Sequence, residues 1–393
     1  MKLKSFVFRI IQKCLLHTSY LFCKICIKKS NGNLWVIGVD ETASVLHHLG
    51  QTITPAVTVN LSKHSLYSFQ YDIAIDHHPG KIHNLIRLVL GPLYLGFLAH
   101  KATHFLYIWQ TGFLNDIGDG RAYEFSFLKK RGRKVVCFFL GSDIRSHALL
   151  LNYANQQNRD VISTYMNQVH PDCLSTQYDA RMRLNAAAAD KFADIIFTAP
   201  VDQMSYIQKR TYGFFYTFPV EQILMQTNKF ENMSPVRIVH APSSPIIKGT
   251  PLVRAAVKAL REEGYLFEYL ELTGMKHELV MQELAKAHIV LNQFYAFVPG
   301  VLGIEAMANC CAMMCSANPE VEDSLPAGVE QAWYRTEYWQ ITDNLRYLLD
   351  NPDKIIFYAY NGRDFVKDNY TYEKANEQFM KIMKENNLLN SLN

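Results

Sequence analysis

The sequence predicts an α/β protein: two Rossmann-like domains facing a cleft, with an N-terminal amphipathic helix ahead of them and a helical tail behind. Three observations carry this expectation. Short apolar runs alternate with helical stretches in two successive series, six runs before residue 200 and four after residue 235, the pattern of buried parallel strands joined by helices. The chain has 393 residues, too many for one ordinary domain and suited to two. Its first 29 residues join an apolar composition to regularly placed basic residues, the mark of a separate helix. The expected division is an interface helix at 1–30, a first domain at 31–210, a linker at 211–235, a second domain at 236–350 and C-terminal helices at 351–393.

Residues 5–27 are apolar, but Arg9, Lys13 and Lys24 interrupt them, which argues against both a spanning helix and a signal-peptide core. On a helix, Arg9, Lys13, His17, Lys24 and Lys28 fall within roughly 100° of arc, with Phe, Leu, Ile and Cys around the rest. Such a helix suits a membrane interface, its long basic side chains reaching headgroups; the alternative is a helix packed on the protein with one solvated edge. Ser30 to Asn33 read as a turn into the first strand.

The first strand series is LWVIGV (34–39), AVTVN (56–60), YDIAID (71–76), HFLYIW (104–109), KVVCFFL (134–140) and ADIIFTA (193–199), with a helix at 41–50. Residues 85–99 read as a buried or interfacial helix, because they hold Arg87 and a Gly91-Pro92 break and are shorter than a membrane span. The second series is VRIVHA (236–241), LFEYLEL (266–272), HIVLNQ (288–293) and CCAMMCS (310–316), with helices at 250–263, 276–287 and 301–309. The tail reads as two helices, with a turn at Asn361-Gly362 and a break at 369–371.

Two windows of the second half carry chemistry. In HAPSSPIIKGTP (240–251) a strand ends in a loop with Ser243 and Ser244, and Lys248 and Gly249 open a helix; hydroxyls, backbone donors and a lysine at a helix N-terminus suit a phosphate. In HIVLNQFYAFVPGVLGIEAMANC (288–310) a strand runs through Gly300 and Gly303 into a helix bearing Glu305, which suits a diphosphate on the helix end and a ribose on the carboxylate. In the first half, five basic residues at 129–134 precede a strand, and Gly141, Ser142, Asp143 and Arg145 follow it, where loops face the cleft. Asp143 and Arg145 are the expected catalytic residues; the alternative is an Asp-Arg pair capping the next helix. Gly38 and Asp40 end the first strand in the same way.

Together the two windows resemble the donor-binding half of the GT-B glycosyltransferases, of the nucleotide-sugar-dependent family 4 type, through K-G-T at one helix start and G-x-x-G-x-E-A-M-A at another. The G-S-D-I-R stretch looks like that of bacterial surface and capsular polysaccharide transferases. The resemblance implies that Lys248 neutralises a donor diphosphate and that Glu305 binds the nucleotide ribose. Two positions depart from it: Phe297 stands where the family carries the first glutamate of an E-x7-E pair whose second is Glu305, and Pro242 and Ser243 stand where it carries a basic residue.

The expected activity is transfer of a sugar from a nucleotide-diphosphate donor to a saccharide or lipid-linked acceptor, without a metal or a cofactor beyond the donor itself, at the cytoplasmic face of a bacterial membrane. Alternatives are a nucleotide-sugar epimerase of the same fold and an inactive membrane-associated assembly subunit. The net charge of +4 is too small to suggest a nucleic-acid partner. Nucleotide phosphate loops, dinucleotide fingerprints and zinc motifs are absent from the sequence. Cys23 and Cys26 form an isolated C-x-x-C and read as buried or lipid-facing thiols, and His170, Asp172 and Cys173 read as a polar loop.

Overall fold

A computed structural model describes residues 2–28, 32–61, 69–75, 80–115, 118–225 and 227–389. Lys29 to Asn31 at the expected turn, and Asp76 at the end of the third apolar run, lie outside them. The first half is a seven-stranded parallel sheet: β1 (Trp35–Val39), β2 (Ala56–Asn60), β3 (Ile73–Ala74), β4 (His104–Ile108), β5 (Lys134–Phe138), β6 (Ile195–Thr198) and β7 (Tyr212–Gly213), ordered β3-β2-β1-β4-β5-β6-β7. The second is a five-stranded parallel sheet of β8 (Val236–His240), β9 (Phe267–Glu271), β10 (Ile289–Leu291), β11 (Ala312–Cys315) and β12 (Tyr334–Arg335), ordered β12-β11-β10-β8-β9. The fold is therefore the expected α/β arrangement of two Rossmann-like halves. The segment expected as a linker opens with β7, which pairs with β6 at the edge of the first sheet.

Among the described residues, the twelve helices of eight residues or more are α1 (Lys2–Cys26), α2 (Val45–Thr52), α3 (Gly80–Lys101), α4 (Ala122–Lys129), α5 (His147–Gln156), α6 (Thr176–Phe192), α7 (Thr250–Glu262), α8 (His277–Lys286), α9 (Gly300–Ala308), α10 (Ile341–Asp350), α11 (Pro352–Asn369) and α12 (Tyr372–Glu385). Both faces of the first sheet are buried, which is why its strands read as continuous apolar runs. Val36, Phe105, Tyr107 and Val135 meet Leu95, Leu98 and Phe125 on one face. Trp35, Ile37, Leu106 and Phe138 meet Leu46, Leu49, Phe379 and Met383 on the other. The last helix, α12, thus returns to the first half, while α11 packs on the second through Ile355, Phe365 and Val366.

Two expected breaks are absent. Gly91-Pro92 lies inside α3, a 22-residue helix long and apolar enough to cross a membrane, and Gly91 leaves room for the Phe113 carbonyl. Asn361-Gly362 lies inside α11, where a Cβ on Gly362 would stand 2.6 Å from the Ala332 carbonyl oxygen and 3.0 Å from Met307 Cγ. Each glycine answers a close packing contact rather than a turn. The break at Tyr370-Thr371 is real, with Thr371 capping α12.

Helix α1 lies parallel to α3: Ser19 Oγ donates to the Leu93 carbonyl at 2.8 Å, and His100 Nε2 meets the Ile27 carbonyl at 2.7 Å. Gln12, Leu16 and Cys23 are buried in this contact, whereas Val7, Ile11, Leu21, Phe22 and Ile25 are exposed. Ile82, Leu85 and Val89, along one face of α3, are exposed as well.

Candidate active site

Ligand clefts in open parallel sheets form where neighbouring connections leave in opposite directions from the strands' carboxyl ends. In the first sheet this point lies between β1 and β4, and in the second between β8 and β10. A cavity of about 470 Å³ joins the two. Thr42, Ala43 and Val45 after β1, Trp109 after β4, and Gly141, Ser142 and Arg145 after β5 form one wall. Pro242, Ser243 and Lys248 after β8, Met275 and His277 after β9, Asn292 and Gln293 after β10, and Gly300, Val301 and Glu305 of α9 form the other.

Of the sequence candidates, Gly141, Ser142, Arg145, Ser243, Lys248, Gly300 and Glu305 meet in this wall. The others support it from behind. Asp143 is fully buried, and its carboxylate reaches back to accept the N–H groups of Leu140 (3.0 Å) and Gly141 (2.7 Å), which fixes the loop. Burial pushes its carboxyl up to about 6, against the pull of those N–H bonds. It therefore shapes the wall without reaching the cavity. Helix α5 is capped by Ser146, which accepts from Leu149 N, so no Asp-Arg cap forms.

Asp40 faces away from the cavity toward α3, pairing with Arg87 at 3.3 Å and accepting from the Thr111 hydroxyl. Gly38 is in β1 itself, pressed against the backbone of Val59. A Cβ on Gly303 would stand 2.8 Å from both Asn292 Nδ2 and Met313 Sδ, so this glycine seats α9 on its sheet. Ser244 precedes a four-residue helical turn, Pro245–Lys248, and Gly249, at φ 84°, lets the chain swing from that turn into α7. Lys248 thus ends a turn instead of opening a helix.

Within the cavity, Lys248 Nζ donates to Gln293 Oε1, and burial lowers the ammonium to about 8; the Asp202 charge opposes this shift and the Arg145 charge adds to it. Arg145, buried, donates from Nε to the Asp202 carbonyl and from Nη2 to Asp202 Oδ2, both at 2.6 Å. The N-terminus of α9 faces the cavity, and the Gly300 N–H donates to the Tyr216 hydroxyl at 2.9 Å. Glu305 Oε1 meets His277 Nε2 at 2.7 Å, and this bond raises the imidazole above its usual value. Together these groups offer cationic and backbone donors for phosphate beside a carboxylate for a polyol.

Sequence reasoning missed His277, Gln293 and Asp202. Each follows the carboxyl end of a strand, and that position was the available signal. Phe297 is turned out of the cavity: its ring is 99% buried beside Tyr153 and 4.7 Å from the Arg159 guanidinium, while its N–H donates to Asp202 Oδ1 at 2.8 Å.

Residues 263–381, which include Glu305 and His277, match the family described as glycosyl transferase-like. The fold is that of the GT-B glycosyltransferases. The chain is similar in structure to Anabaena HepE in complex with UDP-glucose, at 10% identity and a TM-score of 0.55, with 90% of this chain and 100% of that one covered. It is similar also to sucrose-phosphate synthase from Thermosynechococcus elongatus, at 10% identity and a TM-score of 0.55, covering 90% of this chain and 99% of that one. The catalytic domain of starch synthase IV from Arabidopsis thaliana, bound to ADP and acarbose, gives 9% identity and a TM-score of 0.54 over 91% of this chain and 99% of that one. No curated protein matches the chain.

Proposed function

We propose that the protein is a glycosyltransferase that moves a sugar from a nucleotide-diphosphate donor to a saccharide acceptor. The observation that carries this reading is the convergence of Lys248, the N-terminus of α9 and the Glu305–His277 pair on one cavity between two Rossmann-like halves. The diphosphate rests on Lys248 and the helix end, and the ribose hydroxyls on Glu305. Departure of the diphosphate concentrates negative charge where fixed donors already stand, which lowers the barrier without a metal. The glycosyl transferase-like match and the nucleotide complexes of HepE and starch synthase IV support the donor class.

The acceptor is a lipid-linked oligosaccharide of a bacterial surface or capsular polysaccharide, met at the inner face of the cell membrane. The exposed apolar side chains of α1 and α3, beside exposed Arg9 and Lys24, support this location. Incubation with radiolabelled UDP-, GDP- and ADP-sugars and a membrane extract tests the function: wild type labels the lipid fraction, and Lys248→Ala and Glu305→Ala do not. Equal labelling by all three sinks the site assignment, and donor turnover without acceptor marks an epimerase instead.

A further inference from the structure

We propose that Arg145 of the first half and Lys248 of the second form a split clamp for the diphosphate, assembled only when the two halves meet. The inference rests on the nucleotide-sugar reading above and adds a second phosphate-binding cation from the opposite wall.

Both side chains line the cavity, one from each half. Arg145 gives two N–H groups to Asp202, and no further hydrogen bond of its guanidinium is formed among the described residues. A guanidinium has five such donors in a fork that fits phosphate oxygens. Gly141 exists in this loop to seat it: a Cβ there would stand 3.3 Å from Nη2 and 3.4 Å from Nη1, and φ is +137°. Lys248 likewise has three donors and, among the described residues, one side-chain hydrogen-bond partner, Gln293. With Glu305 directed to His277, Asp202 is the carboxylate that acts on both cations, so the trio keeps one positive charge in excess. Two like charges held beside one cavity repel each other, and Arg145 does depress the Lys248 ammonium; an anion between them relieves that cost. Residues 241–247, which lead into Lys248, carry no basic side chain, so the cation nearest to it in the cavity is Arg145 from across the cleft.

Dependence on closure follows from what holds Asp202. Its own N–H and that of Val201 donate to Glu322 Oε2 at 2.8 and 2.9 Å, and its Oδ1 accepts from Phe297 N. Glu322 and Phe297 both belong to the second half, so separation of the halves releases the carboxylate that aims Arg145. Asp202 is thus a positioning residue, and Arg145 and Lys248 are binding residues.

Calorimetry with UDP, GDP and ADP, and with the parent nucleoside of whichever binds, tests the clamp on full-length Arg145→Gln, Arg145→Lys and the double variant Arg145→Gln/Asp202→Asn, which removes the buried Arg145–Asp202 ion pair as a whole. The expected result is a loss of about 30-fold in diphosphate affinity for Arg145→Gln and for the double variant, with nucleoside affinity within about twofold of wild type. Arg145→Lys recovers part of the loss, because charge is kept and the fork is not. The slope of affinity against salt falls in Arg145→Gln. Diphosphate binding within twofold of wild type in both glutamine variants overturns the clamp and leaves the function standing, as does an equal loss for diphosphate and nucleoside. Folded wild-type protein that binds none of the three nucleotides overturns the function and the clamp together.

Discussion

Asp202 and Phe297 face each other across the cleft, the carboxylate of one accepting the backbone N–H of the other at 2.8 Å. Phe297 stands where the resembling family carries a carboxylate, yet it contributes only its backbone to the cleft, and its ring fills a cluster with Leu150, Ile162 and Tyr295. The carboxylate that meets this backbone N–H is Asp202, from the other half, and it also pairs with Arg145. An Asp202→Asn variant is expected to keep its fold, to lose affinity for nucleoside diphosphate and to keep affinity for nucleoside, as read by calorimetry.

The His277–Glu305 pair gives the second half a pH dependence. The imidazole is raised above 6.5, so its contribution to stability is complete below pH 6.5 and is lost as pH rises through the raised value. Thermal melts from pH 6 to 9 should show a decline over this window, amounting to about 1 kcal/mol, that is absent in Glu305→Gln.

Lys248 should give nucleotide binding a basic limit. Its ammonium, lowered to about 8 by burial, loses its proton as pH rises through that value, so diphosphate affinity falls from pH 8 to 9. Lys248→Met should bind diphosphate about 30-fold more weakly at pH 7 and lose this dependence, measured by calorimetry across the range.

Asp143→Asn separates a structural role from a catalytic one. The carboxylate accepts two N–H groups of its own loop, and an amide replaces one acceptor oxygen by donors. A loss of about 1–3 kcal/mol of stability is expected, with kcat nearly unchanged at temperatures well below the melting point. A kcat reduced a thousandfold in a folded variant would return Asp143 to catalysis.

The exposed apolar face of α1 should be dispensable for folding and needed for membrane attachment. Leu21→Glu, Phe22→Glu and Ile25→Glu together are expected to change stability by less than about 0.5 kcal/mol per site while abolishing co-sedimentation with anionic vesicles. Retained co-sedimentation would count against the membrane location.

The α/β class, the two series of strands and the cavity residues Lys248, Arg145 and Glu305 were all legible, because buried strands leave continuous apolar runs and cleft loops follow strand ends. Gly91 and Gly362 were misread as breaks, and Gly303 as a point of close approach to a ligand, because a glycine required for packing looks the same in sequence; only the neighbouring Phe113, Ala332 and Met313 distinguish them. His277 and Asp202 were missed because their meaning lies in partners 28 and 57 residues away, Glu305 and Arg145. Asp143 was misassigned because an acid that binds its own loop and an acid that binds substrate share the same local sequence.

The return of α12 to the first half also sets an order of assembly. Phe379 and Met383 complete the core around Trp35 and Phe197, yet the whole second sheet lies between them in the chain. During synthesis, at roughly 5–20 residues per second, the part of this face that α12 covers therefore stays open until α12 has left the ribosome. The two halves mature together, and a nascent chain halted after β12 exposes the apolar groove that α12 would have filled.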